Sequence, residues 1–179
     1  TRNSYTLTFV TNGGQSVEPL RLKYEETIPT SVVASRSGVT FDAWYSDIGQ
    51  STKFTTMPSS NAKAYAYYKE ETRASFFNVD YSDGSAVIKN GLGLTGAVVV
   101  PRYINDYEVT RIDDCAFENL SSITSVVLPD TIESIGKYSF KNCSSMESIT
   151  GTENLTVIEE GTFQGCSVLS TFPDLSNVE

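Results

Sequence analysis

The chain has 179 residues, 39% of them hydrophobic, with 22 acidic against 13 basic side chains and a net charge of −9, which suits one domain or two small ones around a packed core. It has no histidine and three cysteines. This excludes Ser-His-Asp and Cys-His mechanisms and every His-containing or four-thiolate metal site, and the odd cysteine count argues against a fully paired disulfide framework.

The first segment, "YTLTFVTNGG", alternates Tyr5, Leu7 and Phe9 with threonines and turns at Asn12-Gly13-Gly14, the pattern of a half-buried strand and its turn. No secretory leader opens the chain here, so the sequence reads as cytosolic or as a mature or trimmed piece of something exported. "PLRLKY" alternates again. "PTSVVASRSG" is predicted as a short helix over 29–38, capped by Thr27 or Thr30 and ended by Gly38. "VTFDAWY" and "AKAYAYY" are two further strands. The order β-β-α-β-β predicts a small α+β domain over residues 1–71.

At "KEETRAS" the composition changes. Residues 1–72 carry seven basic and seven acidic side chains, and residues 73–179 six and fifteen, so the whole excess of acid lies in the second part. An acidic field of this kind repels phosphate backbones, and no nucleic-acid partner is expected. The seam over 69–74 is mostly charged. It is expected to join two domains across a small interface and to be the first site of proteolysis.

Beyond the seam, "ASFFNVDYSDGSAVIKNG" reads as a hairpin, with Phe77, Val79 and Tyr81 alternating, a turn at Asp83-Gly84, and a return through Ala86 and Ile88. From Val109 the apolar positions recur every 23 residues without insertion. The ladders are Val109/Ile132/Leu155, Ile112/Ile135/Ile158, Phe117/Phe140/Phe163, Leu120/Cys143/Cys166, Ile123/Met146/Leu169 and Val126/Ile149/Phe172. A fixed period is the signature of a solenoid, whose single turns bury too little apolar surface to fold alone. The second domain therefore spans 72–179: a hairpin cap and first turn over 72–108, then repeats over 109–131, 132–154 and 155–177. Val98-Val99-Val100-Pro101 parallels Val126-Val127-Leu128-Pro129 and marks that first turn, with an inserted loop over 104–108.

"VTRIDDCAFENLSSITSVVLP" resembles the BspA-like class of leucine-rich repeat, through Ala116-Phe117 and Pro129, Ser139-Phe140 and Cys143, and Thr162-Phe163 and Cys166. Gly151 and Asp174 stand at the phase of Leu128, and Thr152 at that of Pro129, which implies irregular strand ends there. Residues 4–71 resemble the Listeria–Bacteroides repeat, a β-grasp-like module, through Phe9, Asn12-Gly13-Gly14, Gly38, Phe41, Trp44-Tyr45 and Tyr65-Ala66-Tyr67, with Ala43 in place of the family's usual Gly. The two resemblances imply a non-catalytic bacterial cell-surface protein, extracellular, acting in adhesion or protein binding toward a host or another bacterial surface protein. A structural spacer is the alternative. Neither a cofactor nor a metal is implied.

Cys143 and Cys166 share the ladder position of Leu120, which makes them core side chains. A disulfide between neighbouring turns is within reach by Cα distance but poorly served by parallel side chains. Cys115 shares its phase with Tyr138 and Gly161, so it is expected to be exposed. "DYSDGS" at 80–85 has the opening of a calcium loop but Gly91 where the closing Glu belongs. Asn119, Asn142 and Asn154 begin glycosylation sequons. The strand face is the candidate binding surface: Thr124, Ser125 and Val127, then Glu147, Ser148 and Thr150, then Ser170, Thr171 and Pro173. Finally, a fourth turn would begin at Val178, so the C-terminal end is expected to lack a cap and to favour self-association.

Overall fold

The computed structural model describes residues 3–36, 39–171 and 178. Four strands come first: β1 (Ser4–Val10), β2 (Leu20–Lys23), β3 (Phe41–Tyr45) and β4 (Ala62–Tyr68). They form one sheet in the order β2-β1-β4-β3, with β1 and β4 parallel at its centre and antiparallel strands on both sides. Alternation dictates the core. Leu7, Phe9, Leu22, Ala64, Ala66 and Tyr68 point inward and pack with Trp44 and Met57. Phe9 and Phe41 lie 4.6 and 5.2 Å from the Trp44 ring.

The helix expected over 29–38 is not formed. Residues 32–36 are irregular, and residues 37 and 38 lie outside the described part. Two carbonyls of this segment, one of which such a helix would use internally, are taken by distant donors. Trp44 Nε1 donates to Val32 O at 2.8 Å, and Gln15 N donates to Ser35 O at 2.8 Å. Thr30, Val32 and Val33 are β-branched and gain little from helical backbone. Among the described residues the chain has no α-helix, only one 3₁₀ turn at Ala74–Phe76. The α+β expectation is therefore corrected to a mostly β chain, and among the described residues no helix lies across the sheet.

Residues 69–74 are not a loose linker. Lys69 N donates to Thr40 O, Thr72 N to Val99 O, and Ala74 N to Gln50 Oε1.

The solenoid begins with β5 (Phe77–Asp80) and β6 (Ala86–Gly91), an antiparallel hairpin. Then come β7 (Gly96–Val99), β8 (Tyr103–Ile104), β9 (Tyr107–Ile112), β10 (Ile123–Val127), β11 (Ser134–Ile135), β12 (Ser148–Thr150) and β13 (Val157–Ile158). Each turn feeds two sheets, and strands of successive turns pair in parallel. One runs β12-β10-β7, the other β13-β11-β9-β6-β5, and β8 pairs with β9 beside the second. The hairpin caps the first turn because β6 pairs in parallel with β9.

The ladders fill the space between the sheets. Phe117, Phe140 and Phe163 stack at 5.0 and 5.8 Å with planes 17° and 14° apart. Ile112, Ile135, Ile123, Met146, Val126 and Ile149 are buried around them. The arcs that join the sheets are also bonded turn to turn. Backbone N–H groups of Cys115, Phe117 and Asn119 donate to carbonyls of Lys137, Ser139 and Lys141, and those of Tyr138, Phe140 and Asn142 donate to Glu160, Thr162 and Gln164. This demands two left-handed residues per arc. Cys115, Tyr138 and Gly161 hold φ of 56°, 54° and 67°, and Asn119, Asn142 and Gly165 hold 63°, 60° and 79°. Asn tolerates this region through local hydrogen bonding. Here Asn142 Nδ2 donates to Asn119 Oδ1 at 2.8 Å. The third turn shows Phe163, Cys166 and Leu169 half-buried, and Val178 packs against the same core. Phe172, Asp174 and the rest of 172–177 lie outside the described residues.

Candidate functional site: the outward strand face

The sheet of β7, β10 and β12 turns Val98, Val126 and Ile149 inward, each about 1% exposed, and the alternating residues outward. Register puts the outward residues into columns. Ser125 pairs with Ser148, Val127 with Thr150, and Ser148 bridges to Thr171. Thr124, Glu147 and Ser170 form a neighbouring column: Glu147 N donates to Thr124 O at 2.8 Å and Ser170 N to Glu147 O at 3.0 Å. Register and backbone bonds thus bring Thr124, Ser125, Val127, Glu147, Ser148, Thr150, Ser170 and Thr171 to neighbouring positions on successive turns. Ser125 and Ser148 are half-buried and the other six exposed. Pro173 lies outside the described residues. The columns extend one turn further than expected, because Ala97 registers with Ser125 and Val99 with Val127. The parallel between 98–101 and 126–129 carried that signal.

The face offers short hydroxyl side chains, two valines and one carboxylate. Stacked strands repeat at about 4.7–4.9 Å, so it presents a flat, regular strip rather than a pocket. Its outer edge is closed. Val99 N donates to Thr72 Oγ1 at 2.9 Å and Thr72 N returns to Val99 O at 2.8 Å.

The remaining candidates find structural partners. Cys143 is fully buried and its thiol donates to Phe117 O at 3.2 Å, while Cys166 repeats this toward Phe140 O at 3.0 Å. Burial pushes the Cys143 thiol up to about 12. All three cysteines are free and Cys115 is exposed. In the 80–85 turn, Asp80 accepts from Ser82 and Asp83 from Ser85 through both amide and hydroxyl. The bonds to Ser85 hold the Asp83 carboxyl below its usual range. These carboxylates cap their own turn. Among the described residues no cluster of three or more His, Cys, Asp or Glu side chains could hold a metal. No described helix is long and apolar enough to cross a membrane.

Residues 103–179 match the family model of the BspA type leucine-rich repeat region, which spans 6 copies. Residues 5–67 match that of the Listeria–Bacteroides repeat domain. Curated proteins give no match. Among solved structures, a T. pallidum leucine-rich repeat protein is similar at 30% identity and a TM-score of 0.55, over 57% of this chain and 50% of that one. A leucine-rich repeat protein from Bacteroides capillosus is similar at 28% identity and a TM-score of 0.52, over 60% of this chain and 86% of that one. A leucine-rich cell surface protein from Faecalibacterium prausnitzii is 32% identical over 57% of this chain and 29% of that one, with a TM-score of 0.49. The chain therefore spans half the length of the T. pallidum protein and less than a third of the Faecalibacterium one. The mostly β fold, its stacked turns and these matches together make residues 5–67 a Listeria–Bacteroides repeat domain and residues 103–179 a BspA type leucine-rich repeat region.

Proposed function

We propose that this chain is a non-catalytic, protein-binding part of a bacterial cell-surface protein, and that it makes adhesive contact through the outward strand face. The observation that carries the reading is the register of that face. Three successive turns align Ser125, Ser148 and Thr171 into a continuous strip that an extended partner could follow. Both matched families are of a kind typical of bacterial surface proteins, which supports an extracellular location. The proposed domain boundary lies between residues 71 and 72. Two separate apolar clusters support it, one drawn from Leu7 to Tyr68 and the other from Ala74 to Leu155. Self-association would use the half-buried Phe163, Cys166 and Leu169.

The spacer reading has its own support. None of the eight face residues is a Trp, Tyr or Arg, the side chains that dominate binding hot spots. Surface plasmon resonance against immobilised extracellular-matrix proteins separates the two. Saturable binding that falls at least tenfold in a Ser125→Arg/Ser148→Arg variant supports adhesion. An absence of binding to the whole panel, or binding that ignores the variant, leaves the spacer reading.

A further inference from the structure

The four-stranded module and the solenoid meet along one side of the Asn12-Gly13-Gly14 turn, and the contact joins residues up to 94 positions apart in sequence. We infer that this turn and Arg36 form a docking seat for the hairpin loop between β8 and β9, so that the two modules act as one rigid body. The inference does not depend on what the strand face binds.

The seat is specific. Gly13 has φ of 76°, and a Cβ there would lie 2.2 Å from Tyr103 Cδ2 and 2.3 Å from its Cε2. The Tyr103 ring therefore occupies the space that a side chain at 13 would fill. The backbone is stitched in both directions. Gly13 N donates to Asp106 Oδ1 at 3.3 Å, and Asp106 N donates to Asn12 Oδ1 at 3.3 Å. Asn12 is itself fixed, because its Nδ2 donates to Ala66 O at 2.6 Å on the central strand. Asn105 and Asp106 hold φ of 55° and 63°, so the loop bends through two left-handed residues to present Asp106.

Arg36 is the second anchor. Its guanidinium lies 4.2 Å from the Tyr68 ring centre and 6.0 Å from that of Tyr103, so it bridges an aromatic side chain from each module. It donates to Asn12 O at 2.7 Å and pairs with Glu71, each side chain only 10% exposed. Glu71 also accepts from Arg102 N at 3.3 Å. The adjoining segment adds the Thr72–Val99 pair. Beyond it, Arg73 donates to Gln50 O at 2.5 Å and lies over the Tyr45 and Tyr67 rings. A chain fixed at 71, 72, 73 and 74, with a loop plugged into the opposite module, has no free hinge.

The test is ¹⁵N relaxation of the full chain. The wild-type protein should give one shared rotational correlation time for residues of both modules. A Tyr103→Ala/Asp106→Ala variant should keep dispersed amide spectra for both modules but give two different and shorter times. Two times in the wild type, or one unchanged shared time in the folded double variant, would overturn the inference. If the double variant does not fold, limited proteolysis of the wild type decides beside its relaxation: persistence of the 69–74 segment supports the docked body, and first cleavage there overturns it.

Discussion

Ser139 is fully buried and its hydroxyl has no hydrogen-bond partner. It stands at the phase of Ala116, which needs none, and of Thr162, whose hydroxyl reaches Glu159 O at 2.6 Å. A buried polar atom left unpaired costs about 1–3 kcal/mol. Ser139→Ala should therefore be neutral or stabilise by up to about 1 kcal/mol, read from the urea midpoint at unchanged slope. A loss of more than that would mean the hydroxyl has a partner after all. Cys143 sets a different expectation. Burial pushes its thiol from an ordinary 9.0 up to about 12, so the fold favours the neutral form. That contribution is complete below about pH 9 and is lost as pH rises from there toward 12. The stability gap between the wild type and Cys143→Ala should narrow between about pH 9 and 11. With an alkylating reagent under native conditions, Cys115 should label first and Cys143 last.

Among the elements, the phenylalanine stack carries the largest single stake. Phe140 is sandwiched between Phe117 and Phe163, and Phe140→Ala should cost about 3–5 kcal/mol by removing both ring contacts and leaving a cavity. Phe163→Ala should cost clearly less, since that ring is only half-buried; equal losses from the two would contradict the stacked order. These ladders were legible in the sequence because a constant period of 23 keeps each apolar side chain over its equivalent one turn earlier. The strands flanking Asn12-Gly13-Gly14 were legible for a similar reason, as period-two alternation beside a turn signal. The expectation of a helix over 29–38 fails because a sequence window cannot show that Val32 O is claimed by the distant Trp44 Nε1. The arc bonds were invisible because they join backbone groups and leave no side-chain signature beyond the left-handed positions. Of the candidate face, the columns Ser125–Ser148 and Val127–Thr150 follow from alternation at a constant period, whereas Thr124, Glu147 and Ser170 beside them do not. The seat for Tyr103 and Asp106 was not, since nothing local to 104–108 marks it as more than an insertion.

At the scale of the whole molecule, the sheet order fixes how the chain responds when its two ends are drawn apart. The parallel pairing of β1 with β4 means that a pull on residue 4 and a pull on residue 68 act along the strands in opposite senses. The four registered pairs from Leu7↔Ala62 to Val10↔Tyr65 then bear load together, in shear. The solenoid is loaded differently. Each of its turns bonds only to its neighbours, so the outermost turn can unzip while the others stay bonded. Stretching the chain in a force spectrometer should give a series of low-force steps, each releasing about 23 residues' worth of length, roughly 80 Å at the extended spacing. One higher-force event from the four-stranded module should follow them. If that module yields first, the β1–β4 pair does not bear the load as described. Under drag the chain would thus lengthen turn by turn, as a shock absorber does, while its stiff end held.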